Sequence, residues 1–150
     1  MGATVVKDYI YESMLENADA PIELFHGYTY SGHPVACAAA LATLDIYKEE
    51  GLFEHAGEQA PKIEKAAHSL KGTKHIVDIR NLGVIAALEL EPRGNAVGAR
   101  GFEVMKKAWD MGLMVRANGD TLAFSPPLIV QDSQIDEMFT TVKSALEQVD

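Results

Sequence analysis

The chain has 150 residues, of which 47% are hydrophobic and 23% charged, a composition that excludes a disordered or collagen-like protein. Its net charge of −9 without a basic cluster argues against binding to nucleic acid or to an anionic membrane. The single cysteine, Cys37, excludes an intramolecular disulfide and favours a reducing compartment. We find no signal-peptide pattern and no apolar run of membrane-spanning length, so we expect a cytoplasmic protein.

The first third of the chain is predicted to hold a short strand and two helices. Residues 3–6 resemble the end of a strand, and residues 7–17 carry apolar side chains at helical spacing. After a polar and aromatic loop, Pro34 suits the first turn of an Ala- and Leu-rich helix that continues to Gly51. Because almost nothing precedes the strand, we expect this third to be the trailing part of a larger domain.

The middle of the chain changes from helical to strand-like spacing. Residues 52–70 have the apolar spacing of a helix, which Pro61 should kink or divide. After Gly72, residues 75–82 and 84–90 alternate as half-buried strands do. A turn at Asn81-Leu82-Gly83 between them predicts an antiparallel pair.

The last third is predicted to contain a helix, a hairpin and a final helix. The first helix, residues 98–111, carries Phe102, Met105 and Trp109 at the spacing of one face. Asn118-Gly119 between two apolar segments is a strong hairpin signal. Asp132 or Ser133 is predicted to cap a helix that reaches about Gln148; its inward residues are Ile135, Met138, Phe139, Val142 and Leu146.

The order of elements predicts an α/β chain overall. The part after Gly72 is predicted to be an α+β lobe of about four mostly antiparallel strands with helices on one face. The motifs of phosphate-binding loops and of hydrolase nucleophiles are missing from the sequence. The sequence therefore offers no support for a nucleotide-binding protein or an α/β-hydrolase.

Few residues suggest a metal ion or a reactive thiol. His26 and His33 flank one loop, but no carboxylate or cysteine cluster accompanies them at ligand spacing, so no metal is expected. Cys37 follows the predicted start of a helix, where a thiol pKa can be lowered. A buried, unreactive cysteine is the commoner case, and we expect it here.

Two further residues are candidates for binding an anion. Thr29, in the loop Gly27 to Gly32 before a helix start, is suited to a phosphate, although a solvated loop threonine is the commoner reading. Arg116, at the end of a predicted strand and among apolar neighbours, could bind a carboxylate through two hydrogen bonds. The alternative for Arg116 is a surface ion pair with Asp120 or a nearby glutamate.

Four blocks of the sequence stand out, in chain order: HGYTYSGHPVACAAALATLDI, VDIRNLGVIAALELE, GLMVRANGDTLAFSPPLI and QIDEMFTTVKSALEQV. They resemble class III pyridoxal-phosphate aminotransferases, most of all the omega-amino acid:pyruvate (beta-alanine:pyruvate) branch, and they occur in that family's order. In the family, the first block follows the active-site lysine, the second opens the C-terminal domain, the third is a substrate-side hairpin and the fourth is the last helix.

The resemblance implies a fold and a set of site residues. Residues 1–51 would be the remnant of the large cofactor-binding domain of a fold-type I enzyme, with its trailing strand and helices, and residues 52–150 its C-terminal small domain. Thr29 would bind the phosphate of pyridoxal 5'-phosphate, with Tyr28 beside it. Arg116 would be the mobile arginine that binds the substrate carboxylate.

The resemblance also implies partners and a reaction. In the family, the residue matching Thr29 serves the active site of the neighbouring subunit, so a homodimer is expected. The reaction would be a ping-pong transamination from an omega-amino acid or amine to pyruvate or another keto acid.

The catalytic residues of the family are not found in this sequence. The Schiff-base lysine lies shortly before the segment that matches this chain, and Lys7 follows the predicted strand, so it is not assigned that role. The acidic partner of the cofactor ring belongs to segments further upstream. We therefore expect the C-terminal portion of an aminotransferase that is inactive alone; the alternative is a non-catalytic fold or dimerisation module derived from one.

Overall fold

A computed structural model describes residues 2–19 and 28–150. The chain divides into two compact units, Met1–Glu49 and Glu50–Asp150. The assignment of residues 1–51 to the large domain and of residues 52–150 to the small domain of a transaminase stays a prediction. Within the described residues, no helix combines the length and the apolar character needed to cross a bilayer.

The described residues of the first unit form two helices, α1 (Asp8–Glu16) and α2 (Pro34–Glu49). Both confirm the helices predicted from apolar spacing and from Pro34. The strand predicted at residues 3–6 is not formed: these residues lead into α1 outside any strand. A strand needs a neighbour that completes its ladder of hydrogen bonds, and the described residues supply none there.

The second unit packs three helices on one face of a four-stranded antiparallel sheet with the strand order β1-β2-β4-β3. This arrangement confirms the predicted α+β lobe. Its elements, in chain order, are α3 (Leu52–His68), β1 (Ile76–Leu82), β2 (Ile85–Leu90), α4 (Ala99–Asp110), β3 (Arg116–Asn118), β4 (Thr121–Phe124) and α5 (Asp132–Glu147).

The core of the second unit lies between the sheet and its helices. Alternate residues of β2 and β4 point into it, among them the fully buried Leu88 and Leu122. From α5, Phe139 stacks on Phe124 of β4 with ring centroids 5.0 Å apart. Burial of each of these leucines stabilises the fold by roughly 1.5–3 kcal/mol. Because side chains alternate along a strand, the intervening residues of β2 and β4 point to the opposite face of the sheet.

Of the two effects predicted for Pro61, the division of the helix is wrong, because α3 continues through it from Leu52 to His68; the kink stays a prediction. Buried residues lie on both sides of the proline, Gln59 before it and Ile63 and Ala67 after it. Pro61 itself is exposed. The packing of both halves therefore offsets the main-chain hydrogen bond that proline removes.

Both antiparallel pairs are confirmed, with their turns displaced by one or two residues. The β1–β2 turn is Gly83-Val84, and Gly83 adopts a φ of 56°. The β3–β4 turn is Gly119-Asp120. As a result, Arg116 is the first residue of β3 and not the end nearest the turn.

The helix predicted at residues 98–111 is confirmed as α4, but its buried face differs from the pattern we singled out. Phe102 and Trp109 are 56% and 64% exposed, and Met105 is half-buried. The buried positions are Arg100, Gly101, Val104 and Ala108. These are mostly small residues, which allow the helix backbone to lie close to the β3–β4 hairpin.

The final helix is confirmed as α5, with a different cap. Gln131 is the N-cap residue, and its main-chain N–H donates to the Gln134 side chain at 2.9 Å. Asp132 instead pairs with Lys62 of α3 at 2.7 Å. The predicted inward residues are buried, apart from Met138, which is half-buried against the core.

Candidate functional site

The residues predicted to bind a cofactor phosphate lie in the turn that leads into α2. The Ser31 N–H donates to the Tyr28 carbonyl at 3.0 Å, and the His33 N–H donates to the Tyr30 carbonyl at 3.3 Å. Gly32 has a φ of 69°, in the left-handed region that favours glycine. The turn therefore leads directly into the N-terminus of α2, where the Cys37 N–H donates to the His33 carbonyl at 2.9 Å.

An open concavity of about 740 Å³ lies beside this turn. The Thr29 hydroxyl is exposed and makes no hydrogen bond within residues 2–19 and 28–150. The described lining residues are Gly2, Thr29, Tyr30, Ser31, Gly32, His33 and Ala36. Hydroxyl groups, with no carboxylate, beside the positive end of a helix suit a phosphate group.

Two lining residues were not singled out from the sequence. Tyr30 and Ser31 face this concavity beside Thr29, whereas Tyr28 is not among its lining residues. The signal that could have found them is the run of hydroxyl-bearing residues in the same loop. The described lining contains no lysine, so among the described residues it presents hydroxyl groups without a lysine amine.

The remaining candidates in the first unit are the two histidines of the loop and Cys37. His26 lies outside the described residues. Among the residues that are described, no three histidine, cysteine, aspartate or glutamate side chains form a metal-binding group. Cys37 is half-buried, and α2 buries none of its residues. The expected burial of this cysteine is therefore wrong, while its expected lack of reactivity stays a prediction.

In the second unit, Arg116 lies on the sheet face opposite the helices, which we call the open sheet face. The register pairs Arg116 with Ala123, Ala123 with Ala87, and Ala87 with Arg80. Directly paired residues share one face of a sheet, so two arginines stand at the ends of a row whose centre consists of two alanines. Only the methyl groups of the two alanines therefore separate the two arginines along this row.

The two arginines of this row have different surroundings. Arg80 donates to Asp78 at 2.7 Å and to Glu89 at 2.5 Å. These bonds, first to Glu89 and then to Asp78, raise the pKa of Arg80, and the Arg80 guanidinium lowers the pKa of Asp78. Arg116 is exposed and takes part in no ion pair within the described part of the chain. Its guanidinium is therefore available to an incoming anion.

The predicted alternative for Arg116, an ion pair with Asp120 or a nearby glutamate, is wrong. The Asp120 carboxylate is 7% exposed and faces α4. It accepts hydrogen bonds from the N–H groups of Gly98 at 2.6 Å and Gly101 at 3.0 Å. The structure thus places Thr29 and Tyr28 in the first unit and Arg116 in the second.

Comparison with known proteins identifies related sequences over nearly the whole chain. The model of the family described as aminotransferase class-III matches residues 1–146. The omega-aminotransferase of Caulobacter vibrioides is 51% identical over 99% of this chain and 34% of its own length. The beta-alanine–pyruvate aminotransferase of Pseudomonas aeruginosa is 41% identical over 99% and 34%. The chain therefore spans about a third of the length of the curated relatives it matches.

Solved structures show the same similarity in three dimensions. A transaminase structure from a directed-evolution study by ancestral reconstruction matches with a TM-score of 0.78 and 32% identity, over 94% of this chain and 32% of that one. A thermostable omega transaminase mutant from Pseudomonas jessenii matches with a TM-score of 0.74 and 36% identity, over 83% and 29%.

Proposed function

Because the chain belongs to the class-III aminotransferase family, we propose that it is the C-terminal portion of an enzyme that moves an amino group from an omega-amino acid or amine to pyruvate or another keto acid. The observation that carries this proposal is the 51% identity to an omega-aminotransferase along 149 residues. The four sequence blocks, which lie within this matched region, occur in the order expected for the family.

Class-III aminotransferases use pyridoxal phosphate, which when bound supplies the electrophilic carbonyl and the electron sink for amino-group transfer. In this chain, the Thr29 hydroxyl would hold its phosphate, with Tyr28 nearby in the same turn. Ser31 lines the same concavity and would add a second hydroxyl. The N-terminus of α2 would add the partial positive charge of the helix dipole.

The family resemblance also supports a homodimer in which Thr29 serves the site of the neighbouring subunit. The exposed Thr29 hydroxyl, without a hydrogen-bond partner in the described part of its own chain, is compatible with such a role. A cytoplasmic location stays a prediction.

Arg116 would bind the carboxylate of the amino acid or keto acid. A guanidinium presents parallel N–H groups that match the two oxygens of a carboxylate. On the open sheet face, Arg116 has small neighbours in Ala123 and Ala87 and no acidic side chain paired to it among the described residues. Its side chain can therefore turn toward a carboxylate or away from an apolar substituent.

A chimeric enzyme tests the proposed function. This chain replaces the matching third of the Caulobacter vibrioides omega-aminotransferase, and alanine formation from pyruvate and an omega-amino acid is measured. We expect transamination by the chimera, and weaker retention of pyridoxal phosphate during dialysis when it carries Thr29→Val. Controls are the relative without that third and the 150-residue chain alone, both expected to be inactive.

Two outcomes would contradict the proposal. A folded chimera that retains pyridoxal phosphate but produces no alanine would show that this chain does not supply what the family's matching third supplies. Dimer formation by the 150-residue chain together with an inactive chimera would favour the alternative, a non-catalytic dimerisation module.

A further inference from the structure

The turn of the β3–β4 hairpin is attached to the N-terminus of α4 through one buried carboxylate. One oxygen of Asp120 accepts the Gly98 N–H at 2.6 Å, and the other accepts the Gly101 N–H at 3.0 Å. The residue is 7% exposed. Both N–H groups belong to the first turn of a helix, where main-chain donors lack partners within the helix, and a negative charge is favoured there.

Close packing of glycines strengthens the same attachment. A side-chain Cβ at Gly101 would lie 2.3 Å from the Gly119 carbonyl oxygen and 2.9 Å from the Asp120 Cα. The turn backbone therefore rests directly on α4. In addition, the Asp120 carbonyl accepts the Leu90 N–H of β2 at 2.9 Å, so the turn is joined to both the helix and the sheet.

The other end of the same segment is also fixed to α4. The Leu113 N–H donates to the Ala108 carbonyl at 2.8 Å, and Val115 is 6% exposed. Between these two attachments lies β3, a three-residue strand that begins with Arg116 and that, among the described strands, pairs only with β4. The helix thus holds both ends of the segment that carries Arg116.

We infer that Asp120 is a positioning residue that sets where Arg116 stands on the open sheet face. This inference rests on the proposed carboxylate-binding role of Arg116. The Arg116 side chain is exposed, so the position of its backbone decides where the guanidinium can reach. Loss of the Asp120 hydrogen bonds would let β3 shift and carry Arg116 with it. Misplacement of a substrate-binding group by about 1 Å can reduce an enzyme's reaction rate about a hundredfold.

Hydrogen exchange of the 150-residue chain measures the attachment directly. In Asp120→Ala, we expect faster exchange at the amides of Gly98 and Gly101 and along residues 116–118, with unchanged exchange in α5. Asp120→Asn should lie between, because an amide offers one carbonyl acceptor in place of two carboxylate oxygens. Unchanged exchange along residues 116–118 in Asp120→Ala would overturn the inference.

Kinetics of the chimera measure the consequence for substrate. In Asp120→Ala, we expect the KM for an omega-amino acid to rise about tenfold more than the KM for an amine without a carboxylate, a difference of about 1.4 kcal/mol. Gly101→Ala, which pushes the turn away from α4, should have the same selective effect. Gly57→Ala, where nothing lies within 4 Å of the added Cβ, is the matched control.

A comparison with two other variants separates this inference from the proposed function. Val142→Ala, at a fully buried position of α5, should lower stability without changing the ratio of the two KM values. Equal losses for both donors in Asp120→Ala, while Arg116→Ala remains selective, would overturn the positioning role alone. A lack of selectivity in Arg116→Ala would overturn the proposed carboxylate site, and the positioning role with it.

Discussion

At the scale of single residues, two aspartates of the second unit illustrate opposite uses of a carboxylate. Asp120 is buried, and its carboxylate accepts from two main-chain N–H groups of another element, so it joins two elements. Asp78 has a side chain that is 53% exposed and pairs with the Arg80 guanidinium, so solvent screens its charge. The first contributes to tertiary structure and the second to the charge pattern of the open sheet face.

The Asp78–Arg80 pair predicts a pH dependence. Arg80 holds the pKa of Asp78 below its ordinary value of 3.8. The pair therefore stabilises the fold above that value, and its contribution is lost as the pH falls through the lowered pKa. In Arg80→Gln, we expect the pKa of Asp78 to rise toward its ordinary value, as measured by carboxyl NMR titration.

Lys62→Gln is the matched control for this titration. It removes the partner of Asp132, whose pKa Lys62 lowers, and it should leave Asp78 unchanged. An unaltered Asp78 titration in Arg80→Gln would show that the guanidinium is not the cause of the lowered pKa.

Some of this residue chemistry could be predicted from sequence and some could not. Thr29 and Arg116 were candidates because a hydroxyl before a helix and a guanidinium among apolar residues are recognisable locally. The role of Asp120 was missed because its partners, Gly98 and Gly101, come from another element. The charge of Asp120 suggested an ion pair with Arg116. Its actual hydrogen-bond donors are main-chain N–H groups, and their positions cannot be predicted from residue types.

At the scale of elements, α3 shows that packing can outweigh a local signal. Pro61 lies within a helix whose buried residues continue on both sides of it. A proline inside a helix costs about 3 kcal/mol, and the helix nevertheless stays in one piece. The sequence predicted the extent of this segment correctly, while the tertiary contacts that keep it continuous cannot be seen in local spacing.

Pro61→Ala should therefore stabilise the second unit. Pro61 is exposed, so the substitution restores a main-chain donor without removing core volume. We expect the free energy of unfolding to rise by about 1–3 kcal/mol, because the greater entropy of the unfolded chain offsets part of the gain. Urea denaturation measures this change.

Pro34→Ala is the appropriate comparison. Pro34 is the first residue of α2, where a missing N–H removes no hydrogen bond within the helix. We expect no gain there. Equal effects of the two substitutions would contradict the view that position within the helix determines what a proline costs.

The buried face of α4 illustrates another limit of sequence reasoning. Phe102, Met105 and Trp109 have helical spacing, and so do Gly101, Val104 and Ala108, one residue earlier. Large apolar residues usually mark the inner face, but here the hairpin approaches so closely that only small residues fit between it and the helix. The helical spacing predicted α4 correctly, but the large apolar residues predicted the wrong face of the helix to be buried.

At the scale of the whole molecule, the two units carry different parts of the proposed chemistry. Met1–Glu49 includes the hydroxyl-lined turn, and Glu50–Asp150 includes the sheet with Arg116. The two aminotransferases compared above match both units, and each is about three times as long as this chain. The proposed activity therefore belongs to a longer protein, to which this chain would contribute a phosphate-binding turn and a carboxylate-binding arginine.

In the proposed function, this chain supplies the group that recognises the substrate carboxylate, and donor selectivity of the chimera after Arg116→Ala tests that role. Arg80→Ala is the matched control, because Arg80 stands at the other end of the same row on the same sheet face.

The measurement is the ratio of kcat/KM for an omega-amino acid to kcat/KM for an amine without a carboxylate. A charge-assisted hydrogen bond contributes about 1.5–3 kcal/mol, so Arg116→Ala should lower this ratio about ten- to hundredfold, while Arg80→Ala leaves it unchanged. An equal loss for both donors in Arg116→Ala, or the same change in Arg80→Ala, would contradict the account.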